Sequence, residues 1–120
     1  MRVKDAVGRF GEQVAADHLS KAGLEILERN WRCRDGELDI VARDGAALVF
    51  VEVKTRSSVS FGLPAAAVDR RKIARLRRLA VRWMNQHREL DRFWSSVRFD
   101  VVSVLRRASG GPQVDHLRGV

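Results

Sequence analysis

The 120-residue chain contains one cysteine (Cys33), two prolines and no tyrosine. A single thiol excludes an internal disulfide. Its three scattered histidines, His18, His87 and His116, show no ligand spacing, which removes a Cys/His zinc cage as well. No uninterrupted apolar run approaches the roughly 18 residues that a membrane-spanning helix needs. The segment Met1-Arg2-Val3-Lys4-Asp5 is charged and lacks the apolar stretch of a signal peptide. The expectation is a reduced, soluble, cytoplasmic protein with no membrane partner. Acidic residues are also in short supply, 15 against 23 Lys and Arg, for a formal charge of +8. Such an excess attracts polyanions, nucleic acid first and an anionic membrane surface second.

What is present suits one domain over residues 1–120, with 45% hydrophobic residues to fill a core. There is no repeat and no low-complexity block. Val7, Phe10, Val14 and Leu19, with small Ala15, Ala16 and Ala22, predict a helix over residues 7–22 that Gly23 stops. Strand-like runs follow at 24–33, 37–43 and 46–55, separated by Asp35-Gly36 and Asp44-Gly45, dipeptides suited to tight hairpins. After a Ser-rich stretch (57–62) and Pro64, a helical pattern runs to about His87. A strand at 97–105 closes the main body, and residues 106–120 are read as a flexible tail or a short final strand near 114–117. The order is αβββαβ, an α/β, α+β-like sandwich around one sheet.

The chemistry concentrates on the central hairpin. With Asp44-Gly45 as a two-residue turn, Asp39 faces Phe50 and Glu37 faces Glu52. Glu37, Asp39, Glu52 and Lys54 then share one side, and Leu38, Ile40, Val49, Val51 and Val53 the other. Asp39 and Glu52 become diagonal neighbours, roughly 7–8 Å apart between Cα atoms, within reach of a shared ion. Hard oxygen ligands without His or Cys select Mg²⁺ or Mn²⁺. Lys54, on the same face, can orient water or hold a phosphate, a set suited to metal-assisted phosphodiester hydrolysis. Spacing alone equally describes a solvated strand face with Glu/Lys cross-strand pairs, the commoner arrangement.

Asp39, twelve intervening residues, then Glu52-Val53-Lys54 resembles the D-Xn-(D/E)XK signature of the PD-(D/E)XK nuclease superfamily. Within it the chain resembles the bacterial YraN family of predicted endonuclease-like proteins. The likeness runs through Gly8-Arg9-Phe10-Gly11-Glu12, Asn30-Trp31-Arg32, Gly36-Glu37-Leu38-Asp39, Val49-Phe50-Val51-Glu52-Val53-Lys54-Thr55-Arg56, Phe61-Gly62-Leu63-Pro64 and the Lys72 helix. The resemblance implies a restriction-endonuclease-like core, a central mixed sheet flanked by helices. It implies Asp39 and Glu52 as ligands of Mg²⁺ or Mn²⁺, helped by the Val53 carbonyl. Lys54 would orient or activate the attacking water, and Glu12 would match the helix carboxylate of resolvase-like members. A carboxylate in the first turn of a helix is also favoured by the helix dipole alone, a plainer reading of Glu12. Glu37 is a further candidate, as a partner of a bound water or as a surface charge. Leu38 stands where the signature has Pro. The Gln-x-x-x-Tyr extension of the RecB-like branch is absent, so the closer analogy is to Holliday-junction resolvases.

Residues 69–92 carry nine basic side chains against three acids. On a helical wheel Arg71, Arg75, Arg78 and Arg82 form one stripe, and Ile73, Leu76, Ala80, Trp83 and His87 the opposite face. The stripe is either a solvated helix back or, with Arg56, a phosphate-binding array, and its nearly unopposed sign favours the second. Trp31, Trp83 and Trp94 are expected in the core rather than as base-stacking platforms, and Cys33 as a small apolar residue. The Ser-rich loop follows Lys54 and Arg56 and is expected to border the site. The function so expected is metal-dependent hydrolysis of DNA, on branched or single-stranded regions. The rival is a non-enzymatic nucleic-acid-binding module on the same fold. A third reading is an adaptor docking on another DNA-processing protein. A junction cutter needs two sites, hence a homodimer or a partner.

Overall fold

The first helix, α1 (Val3–Lys21), buries Ala15, Ala16 and Leu19 and ends at Gly23, whose φ of 97° suits a residue without Cβ. The Leu24 N–H returns to the Leu19 carbonyl at 3.0 Å and turns the chain into the sheet. The computed structural model describes residues 3–57 and 69–120. Residues 58–68, which hold most of the Ser-rich stretch and the Phe61-Gly62-Leu63-Pro64 motif, lie outside them.

The strands β1 (Glu25–Cys33), β2 (Gly36–Asp44) and β3 (Ala47–Arg56) form an antiparallel meander. Helix α2 (Arg70–Gln86) and a short 3-10 turn (Arg88–Phe93) carry the chain over to β4 (Ser96–Leu105), which runs parallel to β3. The last strand, β5 (Gln113–Leu117), pairs antiparallel with β4. The product is an α+β fold, a five-stranded mixed sheet in the order β1-β2-β3-β4-β5 flanked by helices. Helix α2 starts where Asp69 accepts the Lys72 N–H at 2.9 Å, a side-chain cap for an otherwise unpaired donor.

Two hydrophobic cores result, one on each face of the sheet. Ala15, Ala16 and Leu19 of α1 pack on Ile40, Ala42, Val49, Val51, Val102 and Val104. Leu76, Leu79, Ala80 and Trp83 of α2 pack on Trp31, Leu38, Val41, Leu48 and Phe50. Trp31 and Trp83 are buried and Trp94 is half-buried against the same core, so the tryptophans pack the interior as expected. The Trp83 indole N–H donates to Glu28 at 2.8 Å, which satisfies its polar edge. The expected face with both Leu38 and Ile40 does not occur. Leu38 belongs to the α2-side core and Ile40 to the α1-side core. Alternation would put them on one face, so β2 turns over at Asp39. Its neighbour β1 does the same around Asn30, a non-glycine residue at φ 54°.

The first hairpin turn lies one residue earlier than Asp35-Gly36, and the second one residue later than Asp44-Gly45. Cys33 pairs with Gly36 around Arg34-Asp35, and Asp44 pairs with Ala47 around Gly45-Ala46. Gly45, at φ 59°, takes the first loop position, where a II′ turn requires positive φ, while Ala46 needs none. The shift moves every pair of the central hairpin by two positions.

At the hairpin end of the sheet, buried Asp100 accepts from Arg98 Nε (2.9 Å) and Nη2 (3.0 Å) and from the Gly119 N–H (3.0 Å), and contacts His116 Nε2 at 2.8 Å. Burial alone would raise the Asp100 carboxyl, but these hydrogen bonds outweigh it and hold its pKa below the usual value. Arg98 also reaches Asp44 at 3.0 Å, tying β4 and the chain end to the hairpin.

Candidate active site

The altered register decides where the acids meet. The ladder between β2 and β3 is paired from Asp44↔Ala47 to Ile40↔Val51. Just beyond it, Asp39 and Glu52 come to facing positions rather than the diagonal expected. Val53 N–H, which points toward β2, donates to Asp39 Oδ2 at 2.8 Å. A side-chain carboxylate thus takes the place of a backbone acceptor where the strands separate. In extended chain the N–H and C=O of one residue point the same way, so the Val53 carbonyl also faces this opening.

Asp39 is the most perturbed acid described. Burial raises its pKa from 3.8 to about 7; the Val53 N–H opposes the rise, and the negative charges of Glu12, Glu52 and Glu37 add to it. Lys54 is displaced the other way. Proximity to the Lys72 amine, then burial, hold its pKa below the usual lysine value, against the attraction of Glu52 and Asp39. Val7, Gly8, Glu12, Val53, Lys54 and Thr55 line a cleft of about 390 Å³ here.

Glu12 reaches this cleft because α1 lies close on β3. Gly11 is buried, and a Cβ built there would overlap Thr55 Oγ1 and sit 2.8 Å from Thr55 Cβ. Because α1 begins at Val3, Glu12 lies in the helix interior, beyond the first turn. The helix-dipole account of its position therefore falls away.

Glu37 is not opposite Glu52 as expected. It pairs with Arg32 across β1 and β2, with Arg32 Nε 3.0 Å from its carboxylate, both exposed. Its charge still acts on Asp39. Arg71, Arg75, Arg78 and Arg82 are exposed on α2. Arg75 lies 3.8 Å from Glu52 and Arg82 2.7 Å from Asp35, so two of the four carry counter-ions among the described residues. Arg56 is half-buried at the end of β3. Lys72, to which sequence reasoning assigned no role of its own, brings its amine against Lys54.

The donor set fits a small hard cation. Among the described residues no three His, Cys, Asp or Glu side chains converge into a closed cage. Mg²⁺, however, typically takes one or two carboxylates and keeps several waters, which Asp39 and Glu52 with the Val53 carbonyl can supply. A cation here would offset the burial, and the neighbouring negative charges that add to it, which together raise the Asp39 pKa to about 7.

Comparison with known proteins agrees across the chain. The model of "Uncharacterised protein family UPF0102" matches residues 11–104. A UPF0102 protein of Beutenbergia cavernae is 62% identical over 120 residues, covering 100% of this chain and 99% of its own length. One of Frankia alni is 61% identical over 119 residues (99% and 97%). One of Nocardia farcinica is 52% identical over 117 residues (98% and 90%). No helix among the described residues is long and apolar enough to cross a membrane.

Proposed function

The chain belongs to the UPF0102 (YraN) family, and on that premise we propose that it is a Mg²⁺- or Mn²⁺-dependent endonuclease acting on DNA. The observation that carries this reading is the half-buried Asp39, whose pKa burial raises to about 7, with the charges of Glu12, Glu52 and Glu37 adding to the rise. A fold that keeps such a cluster beside an opening between strands bears a cost that a bound cation offsets. Asp39, Glu52, the Val53 carbonyl and Glu12 would hold the cation, which supplies Lewis-acid activation of water and neutralises charge growing on the phosphate.

The chain's own groups do the rest. Val53 N–H fixes the Asp39 carboxylate and its orientation. Lys54, with its proton loosened by Lys72 and burial, orients the attacking water and contacts a phosphate oxygen. Arg56 and the exposed Arg71, Arg75, Arg78 and Arg82 take flanking phosphates, which set register without reading sequence. Branched or single-stranded DNA is the proposed substrate class, with a second copy or another DNA-processing protein completing a two-cut reaction.

The test is cleavage of labelled duplex, single-stranded, flap and four-way-junction DNA in Mn²⁺. Asp39→Ala is expected to lose ~100-fold or more of the rate, since even outer partners of a metal ligand cost about 10–100-fold. Equal cutting by both proteins would overturn the assignment. Arg78→Glu is expected to weaken DNA binding across all substrates and to flatten the salt dependence by about one unit of slope. An unchanged slope would remove α2 from the interface.

A second reading is favoured by the Arg75–Glu52 contact at 3.8 Å. An acid already facing a guanidinium suits a binding module in which the carboxylates are structural. Tight DNA binding without cutting, and no thermal stabilisation by divalent metal, would select it.

A further inference from the structure

Glu12 stands between two depressions. One is the cleft it shares with Val53, Lys54 and Thr55. The other, of about 510 Å³, is bounded by Arg9, Glu12, Gln13, Arg29 and Asn30. Nothing in the nuclease signature calls for the second, and no apolar side chain among the described residues lines it.

We propose that this second depression binds the internucleotide phosphate adjacent, on the same strand, to the one cleaved, with Arg29 and Arg9 as its cations. It deepens the endonuclease reading and rests on that reading for the identity of the strand.

The placement of Arg29 is the strongest argument. In a regular strand Arg29 and Trp31 would share a face. Here Trp31 packs into the α2-side core, whereas Arg29 Nη1 reaches across to Gln13 Oε1 on α1 at 3.1 Å. The reversal between them falls on Asn30 at φ 54°, a conformation that a non-glycine residue holds only at a cost. That backbone distortion is what turns the guanidinium toward α1 and the depression.

The hydrogen-bond inventory points the same way. Gln13 donates to Asp17 through Nε2 (2.9 Å), which leaves Oε1 to accept from Arg29 and fixes the guanidinium plane. Gln13 is therefore a positioning residue. Arg29 Nε is buried and has no partner among the described residues. A guanidinium carries five donors in a fork that matches two phosphate oxygens. Nε itself is closed to solvent, so an anion in the depression would meet the Nη end of the guanidinium. Arg9, exposed on α1 at the rim, adds a second positive charge. Among the described residues Glu12 is the only carboxylate lining the depression, and it faces the neighbouring cleft too, so two consecutive phosphates would straddle it.

The test is DNA binding in EDTA, where no cutting intervenes, followed by fluorescence anisotropy over a range of salt. Arg29→Met is expected to weaken binding about 10-fold or more and to lower the salt slope by about one. Arg29→Lys is expected to keep the slope but regain only part of the affinity, because it restores charge without the fork. Unchanged affinity and slope in a folded Arg29→Met protein would overturn the proposal, as would no measurable DNA binding by the wild type. If Arg29→Met fails to fold, Arg9→Gln on the helix surface decides by the same slope. The two readings fail separately. A wild type that binds with these effects yet cuts nothing loses the endonuclease and keeps the subsite. Cutting abolished by Asp39→Ala beside an indifferent Arg29→Met loses only the subsite.

Discussion

Asp39→Asn is expected to make the metal-free protein more stable at pH 8 while removing its activity. Burial, opposed by the Val53 N–H and reinforced by Glu12, Glu52 and Glu37, puts the Asp39 pKa at about 7 instead of 3.8. The folded protein therefore holds a proton that the unfolded chain has already released. The contribution of Asp39 to stability is fully present below about pH 4 and declines as pH rises through about 7. Above that, the fold carries a half-buried carboxylate among other carboxylates. The gap corresponds to a ceiling of about 4 kcal/mol. Asparagine cannot ionise, and its oxygen can still accept from Val53. In EDTA at pH 8 the variant should melt roughly 5–15 °C above wild type, and at pH 4 close to it. Excess Mn²⁺ should narrow or reverse the difference, since a ligand at 100 times its Kd adds about 2.7 kcal/mol to the protein that binds it. Scanning calorimetry at the two pH values, with and without metal, measures both effects. A variant less stable than wild type at pH 8 in EDTA would mean that Asp39 is not the strained acid.

Gly11→Ala is expected to destabilise strongly, against what helix propensity predicts. Alanine in a helix interior is normally better than glycine by about 1 kcal/mol. At Gly8, where a new Cβ meets nothing within 4 Å, the same change should be neutral or mildly stabilising. At Gly11 the Cβ overlaps Thr55 Oγ1 and comes within 2.8 Å of Thr55 Cβ. Strand β3 is held between β2 and β4, so α1 has to yield. Overpacking of this kind typically costs about 1–3 kcal/mol, a fall of roughly 5–10 °C in Tm. Moving α1 also draws Glu12, the next residue, from the cleft, so cleavage should fall further than stability does. Thr55→Ala in the Gly11→Ala background removes the overlapping oxygen and should restore part of both. Equal melting temperatures for Gly11→Ala and wild type would show that α1 can shift freely, and that Glu12 is not positioned by this contact.

Much of this arrangement is legible in the sequence because it depends on local chemistry. The period-2 runs mark the meander, Gly23 marks the end of α1, and the Leu76–Ala80–Trp83 face of α2 is the face that packs. The spacing from Asp39 to Glu52-Val53-Lys54 also survives the register error. A shift of two positions preserves alternation by itself; the turning-over of β2 at Asp39 is what moves Leu38 to the other face. What stays hidden depends on tertiary balance. An Asp-Gly dipeptide can place its glycine inside a two-residue turn, as Gly45 is, or just after it, as Gly36 is, and the dipeptide alone does not choose. Nor does alternation reveal where a strand turns over. Leu38 and Ile40 read as neighbours on one face, and Arg29 reads as an ordinary strand charge, until Asn30 is seen with positive φ. The counter-ions Asp35 and Glu52 on the arginine stripe are distant in sequence from α2 and leave no local trace.

The turning-over of β2 has a mechanical consequence. Leu38 is clamped under α2 and Ile40 under α1, so the Asp39 backbone is the pivot where two separately packed layers grip one strand. Close-packed interiors transmit strain rather than absorb it. A loosening of either layer thus reaches the same carboxylate, from opposite sides, through a single peptide unit. The site owns no core of its own; its rigidity is borrowed from both faces of the sheet at once.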